Sequence, residues 1–301
     1  MKVTEQLKTS VASFIRDDFG KKQKKDNKYS QVRHANYLGI NQSIYSRVLK
    51  GDIDRVLSDG EWVRVGMELG VDMNGTGWEI ATTATFNQIY LQLEYCQKNS
   101  LSAVFCDEKG IGKTTAAQYY ARRNDNVAYV DCSLVKTKHL LIREIARKFG
   151  FDSKGKLNDV RNNLIENLRT LDKPLLILDE AGDLAYDAFL EIKAIWNALE
   201  YLCGFYLLGA NGLKAKIDRQ INNKKVGYEE IFDRHGDRYQ TVYANLSSVE
   251  QAMFKRYQCE VVLQKNLPKL DKKAMDKILN DCGSNLRRLR IEIVKYKNPV
   301  S

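Results

Sequence analysis

Hydrophobic positions change their spacing along the chain, and each spacing predicts a different kind of element. From Ser30, the stretch SQVRHANYLGINQSIYSRVLKG sets Val32, Ala35 and Leu38, then Ile44 and Val48, at helical intervals on either side of Gly39. This predicts two short helices meeting at a sharp turn, with Ile44 and Val48 facing inward. Asn41 suits the cap of the second helix, because its side-chain oxygen can accept from backbone N–H groups two or three residues on. Val56, Trp62, Val63, Val65, Met67 and Leu69 extend the pattern into a small four- or five-helix unit, and Asp72-Met-Asn-Gly-Thr-Gly reads as a linker. Beyond it, short continuous apolar runs appear at 101–106, in VAYVDCS, at 175–178 and in FYLLGANG. They alternate with helical stretches such as KTKHLLIREIARKFG, whose apolar side carries Leu140, Leu141, Ile145, Ala146 and Phe149. Fully apolar strands alternating with helices predict a mostly parallel sheet covered on both faces.

Composition narrows the class. The 301 residues are 44% hydrophobic and 29% charged, with only three prolines, which excludes wholesale disorder. Length alone suggests about two domains. No apolar run reaches the roughly 18 residues needed to span a bilayer, and the opening MKVTEQLKTSVASFIRDDFG is broken throughout by charge or hydroxyl, so a cytoplasmic protein with no membrane contact is expected. The six cysteines are never closer than ten residues, which excludes a CxxC pair and predicts buried, reduced thiols. His34, His139 and His235 are equally scattered, so no transition-metal site is expected.

The net charge of +10 is concentrated at the ends. Residues 1–50 hold eleven basic and four acidic groups, 51–80 two and seven, 81–244 23 and 21, and 245–301 twelve and six. Basic ends attract polyanions. Lys21, Lys22, Lys24, Lys25 and Lys28 alone would read as a solvated tether. They precede, however, a helix expected to present Gln42, Ser43, Tyr45 and Arg47 on a polar face able to reach base edges or phosphates. This stretch resembles the helix-turn-helix of phage-repressor-type domains; a helical docking module is the alternative.

The chemistry lies in the centre. LSAVFCDEKGIGKTTAAQYYARR runs from an apolar strand through a glycine loop into a helix. A triphosphate needs several backbone N–H groups turned toward one point, a lysine for the outer phosphates and a hydroxyl for Mg²⁺. Asp107, Glu108, Lys109, Gly110, Ile111, Gly112, Lys113, Thr114 and Thr115 supply these at Walker A spacing. The usual first glycine is replaced by Asp107, a short polar residue that tolerates left-handed dihedrals. In KPLLILDEAGDL, a buried strand ends in two carboxylates: Asp179 for the Mg²⁺ shell together with Thr114, and Glu180 for the attacking water. A third strand delivers Asn211 as a polar tip beside the γ-phosphate. The implied cofactors are ATP and Mg²⁺.

Loop, acidic pair and polar tip in this order resemble the AAA+ ATPases over residues 81 to about 300. The resemblance implies an α/β AAA+ P-loop core (81–244), with its parallel sheet between helices, a small C-terminal helical lid (245–301), a linker (73–80) and the all-α helix-turn-helix unit (1–72). It further implies an arginine finger within EEIFDRHGDRY, at Arg234 or, second, Arg238, reaching the neighbouring subunit's nucleotide. It also implies a second sensor arginine, Arg287, in GSNLRRLRIEI. A finger acting in trans links nucleotide binding to oligomerisation. Basic loops repeated along a stack of subunits could then follow a phosphate backbone; Lys136, Thr137 and Lys138, and Lys214, Lys216, Lys224 and Lys225, are the candidates. The whole arrangement resembles the phage Mu B-type transposition ATPases. That implies a sequence-tolerant, double-stranded-DNA-binding ATPase that forms helical filaments and delivers target DNA to a transposase. A replication-initiation or helicase-loading AAA+ protein, a nucleotide-responsive helix-turn-helix repressor and a protein-binding signalling switch are the alternatives.

Overall fold

The computed structural model describes residues 3–244 and 246–298; the expected domain limits at 1, 245 and 301 lie outside the described residues. Four helices come first: α1 (Glu5–Lys25), α2 (Gln31–Leu38), α3 (Gln42–Leu49) and α4 (Asp59–Leu69). Each begins where a side chain satisfies an orphan amide, at Thr4, Ser30, Asn41 and Ser58, and Ser58 with Glu61 forms a full capping box. Gly39, at φ +62°, makes the turn between α2 and α3 in a conformation that favours glycine. Val11, Ile15, Leu38, Val48, Trp62 and Val65 form the buried centre of this unit.

Three expectations for this unit need correction. Lys21 belongs to α1 and Lys22, Lys24 and Lys25 to its last turn, where cations face the negative end of the helix dipole, so these residues are not a loose tether. Val32 is exposed, and the inward place is taken by His34. Tyr45, expected on the polar face of α3, is buried at 1% exposure. Its hydroxyl needs a partner there and finds one in His34 Nδ1 at 2.6 Å, while His34 Nε2 meets Asp18 Oδ2 at 3.0 Å.

The centre of the chain runs α5 (Ala84–Asn99), β1 (Ser102–Cys106), α6 (Lys113–Arg123), β2 (Val127–Asp131), α7 (Lys138–Lys148), α8 (Leu157–Thr170) and β3 (Leu175–Asp179). After a 3-10 turn (Ala181–Asp183) come α9 (Tyr186–Ala198), β4 (Gly204–Gly209), α10 (Asn211–Asn222), α11 (Tyr228–Arg234) and β5 (Tyr239–Gln240). The strands form one parallel sheet in the order β2-β3-β4-β1-β5. Every residue of β3 and β4 is buried, because helices cover both faces. Along α7 the inward residues are Leu141, Ile142, Ile145 and Ala146, whereas Leu140 is exposed. Finally α12 (Ser248–Asn266), α13 (Lys272–Asp281) and α14 (Leu286–Lys297) enclose a core of their own, against which Trp78 and Ala81 pack. The stretch expected as a plain linker is therefore pinned: Asn266 Oδ1 accepts from the Glu79 amide and its Nδ2 donates to the Glu79 carbonyl, both at 3.0 Å.

The N-terminal helices dock on the central unit through polar contacts. Arg147 Nη1 donates to the Tyr37 carbonyl at 2.7 Å, Arg33 Nε to the Phe149 carbonyl at 3.2 Å, and Arg122 to the carbonyls of Met67 and Glu68. Glu68 pairs with Lys148. Burial opposes the charge on Glu68, but Lys148 and Arg147 outweigh it and hold the carboxyl below its usual range.

All six cysteines are buried thiols. Among the described residues no helix is long and apolar enough to cross a membrane. His235, after α11, gives the fold an acid sensitivity. Its Nδ1 meets the Ile231 carbonyl at 2.6 Å, whereas Nε2 is buried without a partner, and burial lowers its pKa from 6.5 to about 4. With the folded value depressed, the contribution is complete above about pH 6.5 and is lost as pH falls toward 4, on the order of 3 kcal/mol in all. Denaturant melts at pH 7 and pH 4 should show this loss, and His235→Gln should reduce it.

Candidate functional site

The segments that follow β1 and β3 line one cavity at the C-terminal ends of those strands, the position where an α/β sheet gathers loops around a ligand. The loop after β1 enters α6 through Gly110 and Gly112, at φ +78° and +98°, which turns its amides toward the helix N-terminus. Lys109, Gly110, Gly112, Lys113, Thr114 and Thr115 line the cavity. Lys113 is 8% exposed; its ammonium donates to the carbonyls of Asp107 at 2.9 Å and Glu108 at 2.6 Å. Burial lowers its pKa, an effect that Asp107, Asp179 and Glu180 oppose.

Thr114 Oγ1 donates to Asp179 Oδ2 at 2.7 Å, so residues 65 apart in sequence meet where a hydroxyl and a carboxylate would share a divalent cation. An oxygen pair of this kind fits Mg²⁺, which usually takes one or two protein oxygens and completes its shell with phosphate and water. Tyr129 Oη donates to the same Asp179 oxygen at 2.8 Å and positions it from the neighbouring strand. Glu180 lines the cavity with its backbone at φ +49°, a strained conformation for a residue other than glycine. Burial raises its pKa first and repulsion from Asp179 second, while Lys113 and Arg287 oppose the rise. Arg287, at the start of α14, also lines the cavity.

Several expected residues lie elsewhere. The side chains of Asp107, Glu108 and Ile111 do not line the cavity: Ile111 is in the core, and Glu108 pairs with Lys255 of α12 at 2.5 Å. Asp107 does not adopt the left-handed conformation expected of it; its carboxylate binds the segment after β5. Asn211 is exposed at the first turn of α10 and does not line the cavity. Arg234 stacks on Trp196 at 4.6 Å with its Nη1 buried, whereas Arg238 is exposed.

Of the basic candidates, Lys216 needs correction. Its ammonium donates to the carbonyls of Gly182 at 2.8 Å and Leu184 at 2.7 Å, bracing the turn after β3, so it does not face a polyanion. Lys214 and Lys225 lie over the rings of Tyr239 and Tyr186, and Lys224 is exposed. Lys136 pairs with Asp183 at 3.4 Å and Lys138 with Glu191 at 2.9 Å, on either side of Thr137, which is the N-cap residue of α7. Gln42 and Ser43 are exposed on α3, and Arg47 is paired with Asp52.

Sequence reasoning missed the apolar end of the cavity. Trp78, Ile80, Phe86, Val262 and Leu286 line it, and Arg290 stacks on Trp78 at 5.1 Å. The residues come from the linker, α5 and the C-terminal helices, so their one sequence signal was a tryptophan and an isoleucine inside a stretch otherwise rich in glycine and polar residues.

A phosphate loop, an acidic strand end and a parallel sheet between helices are the marks of a P-loop nucleotide-binding fold, and residues 97–217 match the family model described as AAA domain. Within that class the chain is similar to the B proteins of Mu-like transposing phages. It is 32% identical over 112 residues to the Mu-like prophage FluMu DNA transposition protein B of Haemophilus influenzae, covering 37% of this chain and 39% of that one. It is 26% identical over 160 residues to the ATP-dependent target DNA activator B of Escherichia phage Mu and to that of phage D108, covering 50% of this chain and 48% of each. The chain thus matches less than half the length of these relatives. In structure it is similar to Cdc6p of Pyrobaculum aerophilum, with a TM-score of 0.49 and 18% identity, over 69% of this chain and 58% of that one.

Proposed function

We propose that this protein is an ATPase that binds double-stranded DNA with little sequence preference, assembles on it as a helical filament when ATP is bound, and presents the DNA to a transposase. The observation that carries the ATPase reading is the contact at 2.7 Å between the buried Asp179 and Thr114, which lines the cavity together with Lys113, Glu180 and Arg287. In this reading Lys113 and the loop amides hold the phosphates, and Thr114 and Asp179 hold Mg²⁺, which neutralises charge on the phosphates when bound. Glu180 orients and deprotonates the attacking water, a role suited to a carboxylate whose pKa burial and the neighbouring Asp179 raise. Trp78, Ile80 and Phe86 form the apolar slot for the adenine ring, and Arg287 and Arg290 close it from α14. Arg238, exposed and unstacked, replaces Arg234 as the arginine offered to a neighbouring subunit.

The DNA and transposase parts of the reading are supported by the similarity to phage proteins whose names describe target DNA activation and transposition. Electron microscopy with ATP, with and without random-sequence duplex, tests the whole: nucleotide-dependent filaments are expected. Isolated particles under every condition overturn the proposal, and assembly only with a replicative helicase points to a helicase loader.

The loop before α7 has its own test. Lys136 and Lys138 must exchange Asp183 and Glu191 for phosphates when DNA binds. Replacing both with alanine should weaken binding similarly for all duplex sequences and reduce the log–log salt slope by up to about 2. Titrations at several salt concentrations measure it; an unchanged slope removes this loop from the interface.

A further inference from the structure

Asp107 stands where a phosphate loop of this pattern ordinarily opens with glycine, and its side chain is committed to a different part of the molecule. The residue is 2% exposed. Its Oδ2 accepts from Thr241 Oγ1 at 2.6 Å and from the Val242 amide at 2.8 Å, and its Oδ1 accepts from the Glu108 amide at 2.7 Å. Its own amide donates to the Gly209 carbonyl at the end of β4, and its carbonyl receives the Lys113 ammonium. One residue therefore joins the loop lysine, the tip of β4 and the chain leaving β5.

The segment it holds is the one that carries Arg238. After α11 the chain turns through Gly236 and Asp237, at φ +82° and +49°, exposes Arg238 and enters β5. This strand is only two residues long and, among the described residues, pairs only with β1, through Val104 and Phe105. A strand so short at a sheet edge has few ladder bonds of its own, so side-chain anchors set its position. Asp107 is one anchor; Asp218, which accepts from Tyr239 Oη at 2.6 Å, and Gln88, whose Nε2 donates to the Thr241 carbonyl at 3.1 Å, are the others among the described residues.

The geometry points to Asp107 as a positioning residue that couples a subunit's own phosphate loop to the arginine the same subunit offers its neighbour. When Lys113 turns from the carbonyls of Asp107 and Glu108 toward a triphosphate, the loop loses two of its internal bonds. The buried carboxylate cannot move with the loop and leave Thr241 and Val242 behind, because separating it from its donors strands a charge away from water. The exit of β5, and Arg238 three residues before Thr241, therefore respond to the loop. A glycine at 107 has no side chain with which to do this. The inference rests on the proposed action of Arg238 in trans.

The test uses the full chain with ATP and random-sequence duplex. It compares the affinity of dispersed protein for a fluorescent ATP analogue with turnover in the assembled state. Thr241→Val removes one of the two donors this segment offers Asp107, together with the acceptor of the Tyr243 amide, and changes no residue of the loop: affinity should stay within about twofold while assembly-dependent turnover falls about fivefold. Thr241→Val combined with Arg238→Ala should be no slower than Arg238→Ala alone, because both act through one arginine. Asp107→Gly, which restores the ordinary loop residue, should lose at least as much turnover as Thr241→Val. Asp107→Asn, which keeps one acceptor oxygen, should fall between Asp107→Gly and the wild type. Wild-type turnover in Thr241→Val, or losses that multiply in the double variant, overturn the coupling alone. A wild-type protein without assembly-dependent turnover, or a silent Arg238→Ala, overturns the proposed function and the coupling with it.

Discussion

Lys113→Ala is expected to lower affinity for ATP by at least about a hundredfold, the size of losing a charge-assisted bond to phosphate in a partly desolvated site. The lysine is buried, and its stem is held among the loop and the start of α6, so the ammonium is already confined near the position a phosphate would take. Little side-chain entropy remains to be lost on binding, which makes the contact stronger than that of a free surface lysine. Equilibrium binding of a fluorescent ATP analogue measures the effect. The same variant should fail to assemble on DNA, because assembly needs the bound nucleotide. Filaments of normal length from Lys113→Ala would break that link. Lys113→Met, which keeps the apolar stem, separates loss of charge from loss of packing: both variants should lose affinity, and Met should stay nearer the wild type in thermal stability.

Glu180→Gln is expected to hydrolyse ATP about 10²- to 10⁴-fold more slowly while still binding it, the range for loss of a positioned general base. The amide keeps the size of the side chain and places no new demand on the left-handed backbone at 180. Removing the charge also removes the repulsion from Asp179 that helps raise the Glu180 pKa, so nucleotide affinity should hold or improve. Complexes with DNA should then persist, which filament lifetimes after dilution would measure. Rapid turnover by Glu180→Gln would assign the water to another group.

The local parts of the site were legible in the chain. A glycine loop between an apolar strand and a helix, and four apolar residues running into Asp179 and Glu180, are short-range patterns whose chemistry depends on spacing along the backbone. The cap at Asn41 and the turn at Gly39 are of the same kind, because caps and turns are satisfied by neighbours a few residues away. Where expectation failed, the deciding partner was distant. Tyr45 looked like a surface residue of α3 until His34 of α2 offered its ring nitrogen, and Lys216 looked like a DNA contact until the turn after β3 brought two carbonyls to its ammonium.

Sequence alone therefore settled which stretches become strand, phosphate loop and acidic strand end, since backbone dihedrals and burial on both faces are dictated by residues close together. Only the tertiary structure decided that Tyr129 holds Asp179 from the next strand, that Trp78 and Ile80 join α5 and the C-terminal helices around one cavity, and that Asp107 binds the segment after β5. A side chain reaches only a few ångströms, and which groups fall within that reach depends on how the helices and the sheet pack against one another.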